Sequence, residues 1–273
     1  RSGAGYLLAD ITASERLRVS AGARVDAYST FGTSVNPRVA VIARPWRGGN
    51  LKVMVGRAFR APSIYELEYE DDCTSQVRPP SLDPETITSG EIELSQQIAP
   101  RWTALAAGFL TFAEDLIVQR NADGSTFPDC AIAGNLEPTQ YANAGDEVLS
   151  LGGEAEVRRE WRQGWMVSAS YSVQRSRSVD GLSFSSMVDR DVPNSPTHLA
   201  ALRAAAPVLP RVVTAMTRLS LDGPRWDRNG LSSDPRQRTT EAAVIWDVAL
   251  SGRAARWHLD WVLGLYNALD WRS

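Results

Sequence analysis

From Arg16 to Ala27 the chain alternates without a fault. Leu17, Val19, Ala21, Ala23, Val25 and Ala27 point one way, and Arg16, Arg18, Ser20, Gly22, Arg24 and Asp26 point the other. A helix would scatter those charges around its circumference, whereas period two sorts them onto one face. The segment is also about as long as a tilted transmembrane strand. The pattern returns from Trp165 to Arg175, from Leu149 to Val157 and from Trp257 to Leu265. Trp102 to Ala113 is apolar on both faces, which leaves its orientation open. A chain patterned this way is all-β, and about twelve strands fit into it.

The connections alternate as well. Short turns fall near Thr12–Glu15, Pro45–Asn50, Ile98–Arg101, Glu160–Gly164, Pro207–Arg211 and Ser251–Ala255. Between them lie longer polar stretches: Ser29–Asn36, Ala61–Glu85, Gln119–Asp146, Ser176–Ser195 and Asp222–Arg238. Short turns at one end and long loops at the other are the periplasmic and extracellular ends of an outer-membrane barrel. Trp46, Trp102, Trp161, Trp165 and Trp257 lie in or beside the short turns, where an interfacial aromatic girdle would sit. The alternative is that they cap the strand ends of a soluble β-core.

Composition narrows the class. At 43% apolar and 22% charged, with net charge −3, the 273-residue chain is no strongly basic nucleic-acid binder. No run is long enough for a transmembrane helix, and the mean hydropathy is −0.24. Neither number argues against a barrel, which shows lipid only every second residue. Arg1-Ser2-Gly3 begins in mid-pattern, and no linker or internal repeat divides the chain.

One stretch cannot be strand. In Val55–Glu70, Phe59-Arg60-Ala61-Pro62-Ser63 breaks the alternation, because Pro62 has no amide hydrogen for a ladder and disfavours helix at Ala61. Asp83-Pro84-Glu85 closes the excursion just before alternation resumes. Gly56, Phe59, Arg60, Ala61, Pro62, Glu66, Leu67, Leu82, Pro84 and Glu85 resemble the G-x-F-R-A-P-x-x-x-E-L … N-P-x-L-x-P-E pattern of TonB-dependent outer-membrane receptors. Pro79-Pro80-Ser81 stands where that pattern has Asn-Pro. Further along, Tyr141-Ala142-Asn143-Ala144-Gly145 leads into Leu151-Gly152-Gly153-Glu154 and is similar to x-N-x-G … G-x-E, with one extra residue. Pro193 to His198 resembles P-x-x-P-x-H, and Asn267-Ala268-Leu269-Asp270 resembles N-L-F-D.

The resemblance implies a fold and a function. The fold would be a transmembrane antiparallel β-barrel of about 22 strands with a plugged lumen. With about twelve strands here, residues 1–273 would be part of that barrel, a partial, open, meandering sheet without plug domain, TonB-contacting box or last strand. Tyr6–Ile11 would then not pair with Trp257–Asn267. The function would be receptor-mediated uptake of a scarce ligand such as a ferric siderophore across the Gram-negative outer membrane, energised through TonB, with no enzymatic step and no cofactor. A complete twelve-strand channel or membrane hydrolase, and a soluble β-rich binding module, are the alternatives.

Candidate residues follow from these readings. Leu17, Val19, Val25, Leu149, Val157, Val167, Tyr171, Leu259 and Leu263 would lie on the convex, lipid-facing side. Arg18, Arg24, Arg38, Glu91, Glu93, Glu154 and Glu156 would face the lumen, pairing with one another or holding a plug. Ser170 would share that concave face. For ligand contact the loops offer Tyr65, Tyr69, Arg78, Arg120, Tyr141, Arg190 and Trp226, since aromatics and arginines suit catecholate or carboxylate chelates. Glu66, Glu68, Glu70, Asp71 and Asp72 read as a solvated acidic loop, because no glycine shapes them into a calcium turn, and no metal site is expected. His198 and His258 lack a recognisable nucleophile motif and read as structural. Cys73 and Cys130 fall in two neighbouring long loops, where a disulfide would tie the loops into one lid; two free thiols are the alternative.

Overall fold

Period-two segments form ladders, and the twelve long strands pair in chain order. The computed structural model describes every residue except 73, 123–137, 162–163, 180–189, 210–211, 226–238 and 272–273. The strands are β1 (Ser2–Ser14), β2 (Leu17–Tyr28), β3 (Gly32–Ala43), β4 (Gly49–Arg60), β5 (Glu85–Ala99), β6 (Trp102–Glu114), β7 (Ile117–Asn121) and β8 (Thr139–Asn143). They continue with β9 (Glu147–Glu160), β10 (Met166–Val179), β11 (Arg190–Asp191), β12 (His198–Leu209), β13 (Val213–Asp222), β14 (Ala243–Ala254) and β15 (Leu259–Leu265). One short helix, α1, spans Ile64–Glu68.

Twelve strands make one antiparallel sheet in the order β1-β2-β3-β4-β5-β6-β9-β10-β12-β13-β14-β15. β11 adds to β10 beyond this path, and β7–β8 form a separate hairpin. β1 and β15 do not pair, so the sheet is open, as the strand count requires; a closed twelve-strand channel is not what this chain forms.

Residues directly opposite in a ladder share a face, so the register can be followed across the sheet. One row runs Arg18, Ile42, Lys52, Glu93, Ala107, Glu154, Ser172, Leu199, Asp222. The adjacent row runs Val19, Val41, Val53, Ile92, Gly108, Gly153, Val173, His198. Along these rows one face carries the charges and the other is apolar apart from His198. A hollow of about 680 Å³ is lined from the charged face by Glu91, Glu93, Glu154, Arg203 and Arg218, residues spread from β5 to β13. A sheet that encloses one hollow across so many strands is concave on that side.

The convex face therefore carries Leu17, Val19, Val25, Leu149, Val157, Val167, Tyr171, Leu259 and Leu263, as the alternation predicts. Val55, Leu151 and Leu202 on it are 55%, 57% and 56% exposed. A soluble module would bury such a wall; lipid is the solvent that matches it. The register also settles β6: Leu105, Ala107 and Phe109 face the hollow, and Ala104, Ala106 and Leu110 face outward.

One connection differs from expectation. Ser29–Asn36 is no long loop, because β3 already begins at Gly32 and only a tight turn joins it to β2. Ser34 and Asn36 are polar because they face the concave side opposite Asp26 and Arg24, not because they are loop residues.

Candidate functional site

The Phe59–Glu85 excursion is held by one guanidinium. Arg60 ends β4 and Glu85 begins β5, directly opposite it. Arg60 Nε and Nη2 donate to Glu85 at 2.5 and 2.8 Å, while Nη1 and Nη2 donate to Glu66 at 3.0 to 3.1 Å. Glu66 is also the third residue of a capping box: its carboxylate accepts from the Ser63 amide at 2.7 Å, and Ser63 Oγ accepts from the Glu66 amide at 3.2 Å. Burial opposes ionisation of Glu66, but the hydrogen bonds from Arg60 and Ser63 outweigh it and hold its carboxyl below the ordinary value. Glu85 accepts in addition from the Ile117 amide at 2.8 Å, so the clasp reaches the β7–β8 hairpin.

A second set of bonds welds the excursion to that hairpin. Asn143 accepts from the Asp83 amide at 2.9 Å and donates to the carbonyls of Asp83 and Asp115 at 3.0 and 2.7 Å. Thr139 and the segment Ser75–Val77 exchange backbone bonds of 2.8 and 2.9 Å, a single parallel bridge from Gln76 to the edge of β8. Asp71 accepts from the Ser75 hydroxyl and from the Ser75 and Gln76 amides at 2.6 to 2.9 Å, and these bonds, the hydroxyl first, lower its pKa. The acidic run is thus partly structural: Glu66 and Asp71 shape the loop, and Glu68 pairs with Arg78. Among the described residues no cluster could hold a metal ion. Val77, Leu82, Ala122, Pro138 and Ala142 are buried here, while the sheet itself has few buried apolar side chains. The long-loop end is a packed platform.

On this platform several of the candidates for ligand contact meet. Tyr65 of α1 and Tyr69, the residue that caps its C-terminus, stack with ring centroids 4.5 Å apart, and Tyr141 of β8 meets Tyr65 edge-on at 6.2 Å. Arg78 lies alongside, its Nε 3.4 Å from the Leu67 carbonyl. Arg120 is separate, because in the β7–β8 register it shares a face with Gln140, not with Tyr141. Arg190 belongs to β11, far along the chain from this cluster. Trp226, Cys73 and Cys130 lie outside the described residues.

The concave face is partly neutralised from within. Arg18 pairs with Asp10 at 3.4 Å, Arg24 with Asp26 at 2.7 Å, Lys52 with Glu93 at 2.8 Å and Arg158 with Glu156 at 2.7 Å. Arg38, Glu91 and Glu154 have no ion pair among the described residues, and Glu154 meets only the Ser172 hydroxyl, at 3.5 Å. Alternation marks the face of Arg203 and Arg218 but not that they stand directly opposite each other; both line the same hollow, again without an ion pair among the described residues.

The histidines take structural places. His198 Nδ1 lies 2.7 Å from the Tyr171 hydroxyl on the convex face, and His258 occupies a left-handed turn position at φ 50°.

The sequence model of the family described as TonB dependent receptor-like, beta-barrel matches residues 1–268. The fold is similar to that of the outer membrane transporter YddB from Escherichia coli, with a TM-score of 0.77 at 13% identity over 99% of this chain and 41% of that one. It is similar also to the siderophore receptor PirA from Pseudomonas aeruginosa, with a TM-score of 0.71 at 16% identity over 99% and 43%. The ferric-catecholate import receptor Fiu from E. coli K12 gives 0.68 at 17% identity over 99% and 40%. No curated protein sequence matches the chain. The chain spans about two fifths of the length of these solved structures.

Proposed function

The chain belongs to the TonB-dependent receptor β-barrel family, and on that premise we propose that it is part of an outer-membrane importer of a scarce ligand, a ferric siderophore or similar metal chelate, energised through TonB. The observation that carries the reading is the division of labour in one open sheet. An exposed apolar convex face suits lipid, a charged concave face suits a water-filled or plugged lumen, and a packed aromatic platform crowns the long-loop end. On this reading the short turns are periplasmic and the platform extracellular.

The charges without an ion pair among the described residues have a place in the same scheme. Arg38, Glu91, Glu154, Arg203 and Arg218 would meet a plug domain supplied by the rest of the receptor, and the free edges of β1 and β15 would pair with its remaining strands. Tyr65, Tyr69, Tyr141 and Arg78 would contact ligand, with Arg120, Arg190 and Trp226 as further loop candidates. The work is conformational rather than chemical: loops capture the chelate and an energised plug lets it through.

The test is uptake of radiolabelled ferric catecholate, hydroxamate and carboxylate chelates by cells making the full-length receptor, with and without TonB. Accumulation of one class that requires both receptor and TonB is expected. Equal accumulation without TonB, or none above receptor-less cells for any metal chelate, would sink the proposal.

A further inference from the structure

We propose that Trp102, Arg159 and Trp161 form a site for the phosphate of a phospholipid headgroup at the short-turn rim of the convex face. The inference rests on membrane residence and not on transport. Arg159 is the penultimate residue of β9, and its ladder partners are Trp102 and Val167, which place it among the outward-facing residues. Its guanidinium carbon lies 4.3 Å from the Trp161 ring centroid and 5.2 Å from that of Trp102. Both distances are within cation–π range. The group makes no ion pair or hydrogen bond among the described residues, and its Nε is shut off from solvent without a partner.

A charge on the lipid face is costly at the bilayer midplane and nearly free at the interface, so its place at the rim is the tolerable one. There its open donors can meet water or an anion, and headgroup phosphates are the anions at that depth. The two indoles within cation–π range leave the Nη groups of the guanidinium, which unlike Nε are not shut off from solvent, to donate to two phosphate oxygens. The surroundings select an amphipathic anion over a free one. Val167 beside Arg159, and Val157 one outward position nearer the middle of the sheet, are both 39% exposed, and Ala104 and Ala169 flank Val157. An acyl chain would lie along them while the phosphate met the guanidinium. The tryptophans also hold the arginine's position before any lipid arrives, which limits the ordering cost of binding.

Native mass spectrometry of the full-length receptor, titrated in detergent with phosphatidylglycerol, tests this. Wild type is expected to retain one more lipid than Arg159→Gln, with Arg159→Lys binding at least about threefold more weakly than wild type because it lacks the fork. Arg18→Gln, on the concave face, is expected to match wild type. Diacylglycerol with the same acyl chains should not be retained, and millimolar inorganic phosphate should not displace the lipid. Equal retention by wild type and both Arg159 variants overturns the proposal. So does retention of diacylglycerol, which would mean an apolar groove, or displacement by phosphate, which would mean a simple anion site. If Arg159→Gln does not fold, Arg159→Lys decides alone. A receptor that stays in solution without detergent would instead remove the membrane placement itself.

Discussion

Arg60 and Glu85 face each other across the last rung of β4 and β5, and the same guanidinium also holds Glu66 of α1. One cation thus separates two carboxylates that would otherwise be neighbours, and it fixes where the chain leaves and re-enters the sheet. Arg60→Ala is expected to open segment 61–84 locally by about 1–2 kcal/mol, roughly a tenfold loss of amide protection, because charge-assisted bonds are lost and like charges remain. Arg60→Lys should fall between, since it keeps the charge but not the fork. Hydrogen exchange on the full-length receptor measures both, and unchanged protection across 61–84 in Arg60→Ala would refute the clasp.

Acid should loosen the same platform. Glu66 has a folded pKa below its ordinary 4.5, so its contribution is fully present above that value and is lost as pH falls through the lower folded value. Asp71 is depressed below its ordinary 3.8 and acts in the same direction. Amide protection at 63–67 and 75–76 is expected to hold from neutral pH to about pH 5 and then decline as pH falls below the ordinary values. In Glu66→Gln the decline at 63–67 should shrink, with lower protection at neutral pH. A protection profile flat down to pH 2 in wild type would contradict this.

Ala169 and Ser170 are adjacent in β10 and lie on opposite faces, with Ala169 opposite Val157 and Ser170 opposite Glu156. Ala169→Arg puts a charge toward lipid and should cost up to about 2–4 kcal/mol of stability in a bilayer. Ser170→Arg places the same charge beside Glu156 in the hollow and should cost much less. Equilibrium unfolding of the full-length receptor in lipid vesicles compares them; equal losses would mean the two faces are not lipid and lumen.

The faces were legible because period two leaves no freedom: once Arg18 and Leu17 are opposed, every strand in register inherits the choice. Open edges followed from strand count and resemblance together. What eluded sequence reasoning was mostly pairing across distance. Nothing in Arg203 or Arg218 reveals that they stand opposite each other, since that depends on the register of β12 against β13. Trp102 to Ala113 carried no polar face to orient it, and only its ladders with β5 and β9 do so. The residues that match the family motifs are architectural. Arg60, Glu66, Glu85 and Asn143 clip the platform, and Asn267 clips the turn after β15 through bonds of 2.9 and 3.0 Å to the Trp271 backbone. On the proposed function, ligand choice would fall to the residues between the clips, where no motif points.

Tyr65, Tyr69 and Tyr141 supply the sharpest test of those residues. In the stacked pair at α1 and its C-cap, Tyr65 is 52% and Tyr69 38% exposed, so the rings present apolar area and hydroxyls outside any core. Tyr65 also touches Tyr141, which couples α1 to the β7–β8 hairpin. If the cluster binds the chelate, Tyr65→Ala should weaken binding about tenfold, in line with loss of a stacking contact and its buried area. Tyr69→Phe removes only a hydroxyl and should cost less than about threefold unless that hydroxyl bonds the ligand. A structural role would give a different split: Tyr65→Ala would lower protection in segment 61–84 while affinity stayed level. Equilibrium binding of the imported chelate to the full-length receptor, read beside hydrogen exchange on the same variants, separates the two. Unchanged affinity in Tyr65→Ala, with or without loosening of the loop, would remove the aromatic cluster from the ligand site.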